Sequence, residues 1–128
     1  MATIPIPEPF VYSDTFDVQV AVFNEQHKKL FDMIRGLGED MGNKTKLTEL
    51  LEYVQLHFKT EEDLFEKHGW ATAKSAAHKT IHDKFVSDAV AATKDGVNQG
   101  VIDFCKKWLV EHIKLSDMKY SSHMAGKE

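Results

Sequence analysis

The sequence is poor in cysteine, proline and long apolar runs, and these shortages exclude several classes of protein. A single cysteine, Cys105, excludes an intramolecular disulfide and is typical of proteins in a reducing compartment. The start, MATIPIPEPF, has no basic segment followed by an apolar one, so it predicts neither a signal peptide nor a membrane span. We therefore expect a cytoplasmic protein that does not enter a membrane.

Positive charge is also scarce relative to negative charge. The 128 residues contain 16 Lys and Arg against 20 Asp and Glu, and the basic residues are spread over every segment. Because no basic stripe is available for phosphates, we expect no nucleic-acid partner. The length predicts one domain, residues 1–128, which buries roughly two thirds of the unfolded chain's surface.

Four segments carry apolar residues at spacings of three and four, the pattern of amphipathic helices. They run from Val20 to Met41, from Leu47 to His68, from Ala77 to Ala92 and from Val101 to His112, with Gly69 as a helix cap. The prolines lie near the N-terminus, so about 18 residues there are predicted to form an extended arm. The sequence thus predicts an all-α fold, an up-down-up-down four-helix bundle.

Histidine is abundant, with seven residues in 128. Five imidazoles and one carboxylate fall on the apolar faces of the four helices: His27, His57, Glu61, His78, His82 and His112. One such histidine alone is usually a hydrogen-bonded core residue. Five cannot satisfy one another, because a neutral imidazole has one donor and one acceptor, whereas metal ions would bind every lone pair. The combination therefore indicates a metal site inside the bundle.

These ligands exceed what one metal ion needs, so a second carboxylate is relevant. Asp117 follows His112 by five residues, about 140° around an ideal helix, and it reaches the same site only if the helix ends or distorts there. Otherwise Asp117 is a capping or surface residue. His68 lies 11 residues after His57, roughly 16 Å along the helix axis, which is too far for the same centre, and His123 is in the polar tail. We expect both outside the site, and Glu62 in solvent.

Four motifs occur in a specific order: His27 within NEQHKKLF, HFKTE from His57, HKTIH from His78 and HIKLSD from His112. Together with their flanks they resemble the hemerythrin family over essentially the whole chain, and its monomeric members most of all. The resemblance implies two iron ions bridged by two carboxylates and an oxo or hydroxo oxygen. By resemblance one iron is held by His78, His82 and His112 and the other by His27 and His57, with Glu61 and Asp117 as the bridges.

The resemblance also implies reversible O2 binding, for storage or transport, at a non-haem di-iron centre, and not enzymatic catalysis. Since the histidines divide three and two, the iron with two histidines would keep a position open for O2. We expect an apolar pocket there, formed by Leu30, Phe31, Phe58, Trp108 and Leu109. Storage or detoxification of iron or another divalent metal, and O2 sensing, are the alternatives. We expect a monomer.

Overall fold

Four helices build the molecule, which is available as a computed structural model describing residues 4–70 and 72–126, without the side chains of residues 72 and 73. The helices are α1 (Ala21–Glu39), α2 (Lys44–Lys67), α3 (Thr72–Ala92) and α4 (Gln99–Glu111). A π-helical segment, a 3-10 turn and a short helix α5 continue the chain as His112–Ser116, Asp117–Lys119 and Ser121–Met124. The described ranges contain no strand, and the predicted all-α bundle is confirmed.

Local sequence signals set the helix boundaries. Asn43 and Asn98 cap α2 and α4, because each side-chain oxygen accepts a hydrogen bond of 3.0 Å from the backbone N–H three residues ahead. After α2 the chain turns at Gly69, whose φ of 68° favours glycine, as the sequence predicted. A second glycine, Gly96, has φ of 107° in the turn after α3.

The bundle is held together by apolar faces that pack into one core. Helix α1 lies against α2 and α4, and α2 lies against α3. Between α3 and α4 the ring of Phe85 stacks on Trp108 with centroids 3.8 Å apart. Burial of one such large apolar side chain contributes about 1.5–3 kcal/mol. Across residues 4–70 and 72–126, no helix combines the length and the apolar character that a membrane crossing demands.

The N-terminal arm packs onto the outside of α1. Residues 1–3 of the predicted arm lie outside the described residues, and the rest is irregular apart from a 3-10 turn at Asp14–Phe16. Phe10 and Phe16 contact the ring of Phe31 with centroids 4.5 and 5.0 Å apart. Arg35 donates a hydrogen bond of 2.8 Å to the carbonyl of Phe10. The arm therefore covers α1 with an aromatic cluster.

Candidate metal centre

Seven polar side chains come together inside the bundle. Each of the seven exposes 5% of its surface or less. They are His27, His57, Glu61, His78, His82, His112 and Asp117. Leaving a polar group of this kind unpaired in a protein interior costs about 1–3 kcal/mol. The structure thus brings together all the positions that the sequence proposed as ligands, including Asp117.

Helix periodicity accounts for most of this convergence. His57 and Glu61 lie one turn apart on α2, and His78 and His82 lie one turn apart on α3 with ring centroids separated by 4.4 Å. His27 projects from α1, where the same face buries the neighbouring apolar residues. Residues four apart share a helix face, so each helix can present its ligands to one point.

The π-helical segment accounts for Asp117. The backbone N–H of Asp117 donates to the carbonyl of His112, five residues earlier, so one residue more than usual is fitted into the turn. This wider turn brings Asp117 Oδ1 to 3.0 Å from His112 Nε2. The helix is therefore distorted between His112 and Asp117, which is the condition for Asp117 to reach the site. Asp117 is fully buried, so the alternative of a surface residue is wrong.

The seven side chains form two groups that share both carboxylates. The three-histidine group consists of His78, His82, His112, Glu61 and Asp117. The two-histidine group consists of His27, His57, Glu61 and Asp117. Within each group the potential ligand atoms lie within 4.8 Å of one another. Such an arrangement suits a pair of metal ions bridged by carboxylates.

The spacing of the ligand atoms fits metal coordination. From Asp117, Oδ2 lies 3.1 Å from His27 Nε2, and Oδ1 lies 3.1 Å from His78 Nε2. From Glu61, Oε1 lies 3.2 Å from His82 Nε2 and 3.4 Å from His57 Nε2. With bonds of about 2.1 Å, adjacent donors around a six-coordinate ion lie about 3.0 Å apart. Both carboxylates thus have oxygen atoms within reach of both groups.

Several of these atoms have no hydrogen-bond partner among the described residues. They are Nε2 of His27, His57 and His78, Oε1 of Glu61 and both carboxylate oxygens of Asp117. In addition, the Nε2 atoms of His82 and His112 lie 3.2 Å apart. Buried lone pairs directed at one another are costly unless a proton or a cation lies between them. The donor set therefore fits bound metal ions.

Three further side chains bond to the ligands, and the sequence analysis did not find them. On the two-histidine side, Gln26 Oε1 accepts a hydrogen bond of 2.7 Å from His57 Nδ1. The Gln26 amide is oriented by its own donation to Thr60 Oγ1 at 3.3 Å, and Thr60 donates to a backbone carbonyl of α2. These bonds direct the unprotonated Nε2 of His57 into the site.

On the three-histidine side, the corresponding hydrogen-bond acceptor is a carboxylate. Glu62 Oε2 accepts a hydrogen bond of 3.2 Å from His82 Nδ1, and the Glu62 side chain is only 25% exposed. Glu62, which was expected in solvent, is therefore only partly exposed and bonds to a ligand. A residue beside a ligand on the same helix faces away from it, but His82 approaches from α3 and reaches Glu62 from the side.

The third partner is Tyr120, which follows the 3-10 turn and is fully buried. Its hydroxyl donates a hydrogen bond of 2.6 Å to Glu61 Oε2, the oxygen atom that does not face the histidines. Burial, followed by the charges of Asp117 and Glu61, raises the pKa of Tyr120 well above its ordinary value. The hydroxyl therefore remains a donor and fixes the orientation of the Glu61 carboxylate.

The charges inside the metal-free cluster are strongly coupled. Burial raises the pKa of Glu61 and Asp117, but the surrounding imidazoles outweigh it and hold the pKa of both carboxyls below its ordinary value. Burial also lowers the pKa of His78, yet the two neighbouring carboxylates, Asp117 and Glu61, outweigh burial and raise this pKa from 6.5 to about 9. The pKa of His57 falls to about 3, chiefly through burial. Without metal, His78 thus carries a proton at neutral pH.

Aromatic rings cover the cluster. Phe58 stacks on His82 with centroids 3.7 Å apart, and Trp108 stacks on His112 at 4.4 Å. Both rings expected in the O2 pocket therefore contact the three-histidine group, although Phe58 also lies 5.9 Å from His57. The assignment of these rings to the pocket stays a prediction.

The other three residues of the expected pocket are buried, whereas Trp108 is partly exposed. Leu30 and Leu109 belong to the apolar core formed by α1 and α4. The ring contacts of Phe31 are with the aromatic side chains of the arm. Whether these three line an O2 pocket stays a prediction.

His68 and His123 lie away from the cluster, as expected. His68 is the C-cap of α2, and its carbonyl lies 2.9 Å from His123 Nε2. This contact ties α5 to the end of α2.

The helices, the two groups of histidines and the shared carboxylates define a metal-binding four-helix-bundle protein. A family model described as the hemerythrin HHE cation binding domain matches residues 18–123. The chain belongs to the hemerythrin family, as the motifs of the sequence predicted.

Individual relatives match over nearly the whole chain. A hemerythrin-like protein of Naegleria gruberi is 48% identical over 120 residues, which cover 94% of this chain and 97% of that protein. Myohemerythrin-1 of Phascolopsis gouldii is 32% identical over 119 residues, covering 93% of this chain and 98% of that protein. A crystal structure of wild-type hemerythrin superimposes with a TM-score of 0.82 at 32% identity, covering 91% of this chain and 98% of its own.

Proposed function

We propose that the protein binds O2 reversibly at a di-iron centre, for oxygen storage or transport. The three-histidine group would hold one iron and the two-histidine group the other, with Glu61 and Asp117 bridging both. Ferrous ions held by these residues would supply the electrons for O2 binding. The relatives named myohemerythrin and hemerythrin support this assignment.

One observation carries the proposal: the histidines divide unequally around shared carboxylates. The three-histidine group offers one imidazole more than the two-histidine group, while both groups include Glu61 and Asp117. Two six-coordinate ions that shared the same bridges would therefore differ by one protein ligand. The position without a protein ligand would belong to the ion of the two-histidine group, and we propose that O2 binds there. A centre made only to store metal has no need of this inequality.

The surrounding side chains favour a carrier over an enzyme. Phe58 and Trp108 stack on ligand rings, and Leu30 and Leu109 are buried in the adjoining core. These apolar side chains supply no acid or base for a substrate. The buried polar groups bonded to the ligands, such as Tyr120, orient them. We therefore propose that the protein performs no catalysis.

We also propose a cytoplasmic monomer. Cys105 is free and buried, which suits a reducing compartment. Four of the exposed large apolar side chains lie on the arm, α2 and α3, and the other three border one surface groove: Ile6, Val11, Leu56 and Val90, and Ile81, Phe104 and Leu115. A sedimentation experiment would test the monomer, and an octamer would overturn it.

The function is tested by metal analysis and absorption spectroscopy on the purified chain. We expect two iron atoms per chain, and a visible absorption band that appears in air and disappears on degassing over repeated cycles. Two irons with no reversible band would favour metal storage. One zinc per chain without any visible band would overturn the di-iron centre.

A further inference from the structure

The two groups of the metal centre have different neighbours. His57 donates to Gln26, a neutral amide, whereas His82 donates to Glu62, a carboxylate. The geometry is otherwise similar, because in both cases Nδ1 bonds outward and Nε2 faces the site. These two hydrogen bonds therefore differ mainly in the charge of the acceptor.

The charge of such a partner alters the strength of a ligand. An imidazole that donates to a carboxylate becomes a stronger electron donor than one that donates to an amide, and loss of such a partner typically weakens metal binding about 10–100-fold. Glu62 therefore strengthens a group that already has the larger number of imidazoles. In the two-histidine group the acceptor is the neutral amide of Gln26, which does not strengthen His57 as a ligand in this way.

The two groups also differ in how close their histidines lie to the protein surface. Surface grooves of about 350 and 390 Å³ are lined in part by His112 and by His78, both in the three-histidine group. His27 and His57 expose 0% and 1% of their surface. His78 and His112 expose 4% and 5% of their surface, and His82 exposes 1%. Two ligands of the three-histidine group therefore lie nearest the surface.

We propose that the centre fills in a fixed order, the three-histidine group first, and that Glu62 is the positioning residue that makes this first position the tighter one. Gln26 keeps the second position weaker. This inference rests on the proposed two-metal centre and adds the order of loading and its cause.

The order can be read by titrating the metal-free chain with Co²⁺ and recording proton NMR spectra. Each imidazole bound to Co²⁺ gives one strongly shifted N–H signal, so the number of signals identifies the group that is filled. We expect three such signals at one equivalent and five at two, because the groups hold three and two histidines. Five signals that grow together, or two that appear first, would overturn the order.

The role of Glu62 is tested by calorimetric Co²⁺ titration of Glu62→Gln, which keeps the hydrogen-bond acceptor and removes the charge. We expect the first binding step to weaken about tenfold or more, and Gln26→Glu to strengthen the second step about tenfold. Asp63→Asn is the matched control, because Asp63 is 62% exposed and pairs with Lys59. It should change the first step by less than about twofold.

The outcomes separate this inference from the proposed function. If Glu62→Gln and Asp63→Asn weaken the first step equally, Glu62 acts only through the general charge of the surface, and its positioning role is wrong. If the unaltered chain binds one Co²⁺ in total, or binds two without the signals of five histidines, the two-metal centre itself is wrong.

Discussion

Tyr120→Phe is the substitution that most directly tests how the protein supports its buried carboxylates. The change removes only the hydroxyl, which donates at 2.6 Å to Glu61 Oε2. It keeps the ring, whose centroid lies 5.4 Å from that of Phe23 and 5.0 Å from that of Phe65. Packing should therefore be preserved, and the effect should report the hydrogen bond.

The expected magnitude follows from burial. A hydrogen bond to a charged group contributes about 1.5–3 kcal/mol. In the variant, Glu61 Oε2 loses its donor and is too deeply buried to bond to solvent water instead. We expect the metal-free variant to lose about 2–3 kcal/mol in free energy of unfolding. For a chain of this size that loss lowers Tm by about 10 °C. Urea denaturation and thermal unfolding at pH 7 would measure both quantities.

A matched control is Tyr53→Phe. Tyr53 is partly exposed, and its ring lies 4.6 Å from the ammonium group of Lys29, which a phenylalanine ring would retain. We expect this control to change stability by about 0.5 kcal/mol or less. If Tyr120→Phe were no more destabilising than the control, the bond to Glu61 would contribute nothing, and the carboxylate would have to be held by its other neighbours.

Three further predictions concern ligands, pH and the O2 pocket. His82→Ala should abolish tight binding of one metal ion, whereas His68→Ala should bind as the parent does; equal losses in metal analysis would refute the ligand assignment. The metal-free protein should lose on the order of 3 kcal/mol as pH rises from about 6.5 to about 9, because the raised pKa of His78 makes its protonated form stabilising below that range; a flat urea midpoint would contradict this. Leu109→Ser should cost about 2–4 kcal/mol and shorten the lifetime of the oxygenated absorption band in air at matched iron loading, while an unchanged lifetime would leave Leu109 as core packing only.

The sequence predicted the fold and the convergence of the ligands because both depend on helix periodicity. His78 and His82 share a face by spacing alone, and His57 and Glu61 do so in the same way. Asp117 was different. It lies five positions after His112, a spacing that brings it to the site only if the helix distorts, and the sequence alone could not establish that distortion. The π-helical turn supplies that distortion.

The residues that the sequence analysis missed depend on how helices are placed against one another. Gln26 precedes His27 on α1, yet it bonds to His57 on α2, and this contact depends on the packing of the two helices. Tyr120 follows a π-helical segment and a 3-10 turn, so the periodicity of α4 does not predict where its side chain points. A buried tyrosine needs a hydrogen-bond partner, which is the only signal that could have linked Tyr120 to the site.

Metal binding and protonation compete for the same atoms in this centre. At neutral pH the metal-free cluster holds the charges of Glu61 and Asp117 and one proton on His78, whose pKa of about 9 reflects those carboxylates outweighing burial. A metal ion that takes Nε2 of His78 must displace this proton, so metal affinity rises as pH approaches 9. Over the same range the metal-free fold loses the stability that protonated His78 provided. The stability of the fold therefore depends more on bound metal ions as pH rises, because His78 loses the proton that stabilises the metal-free cluster at lower pH.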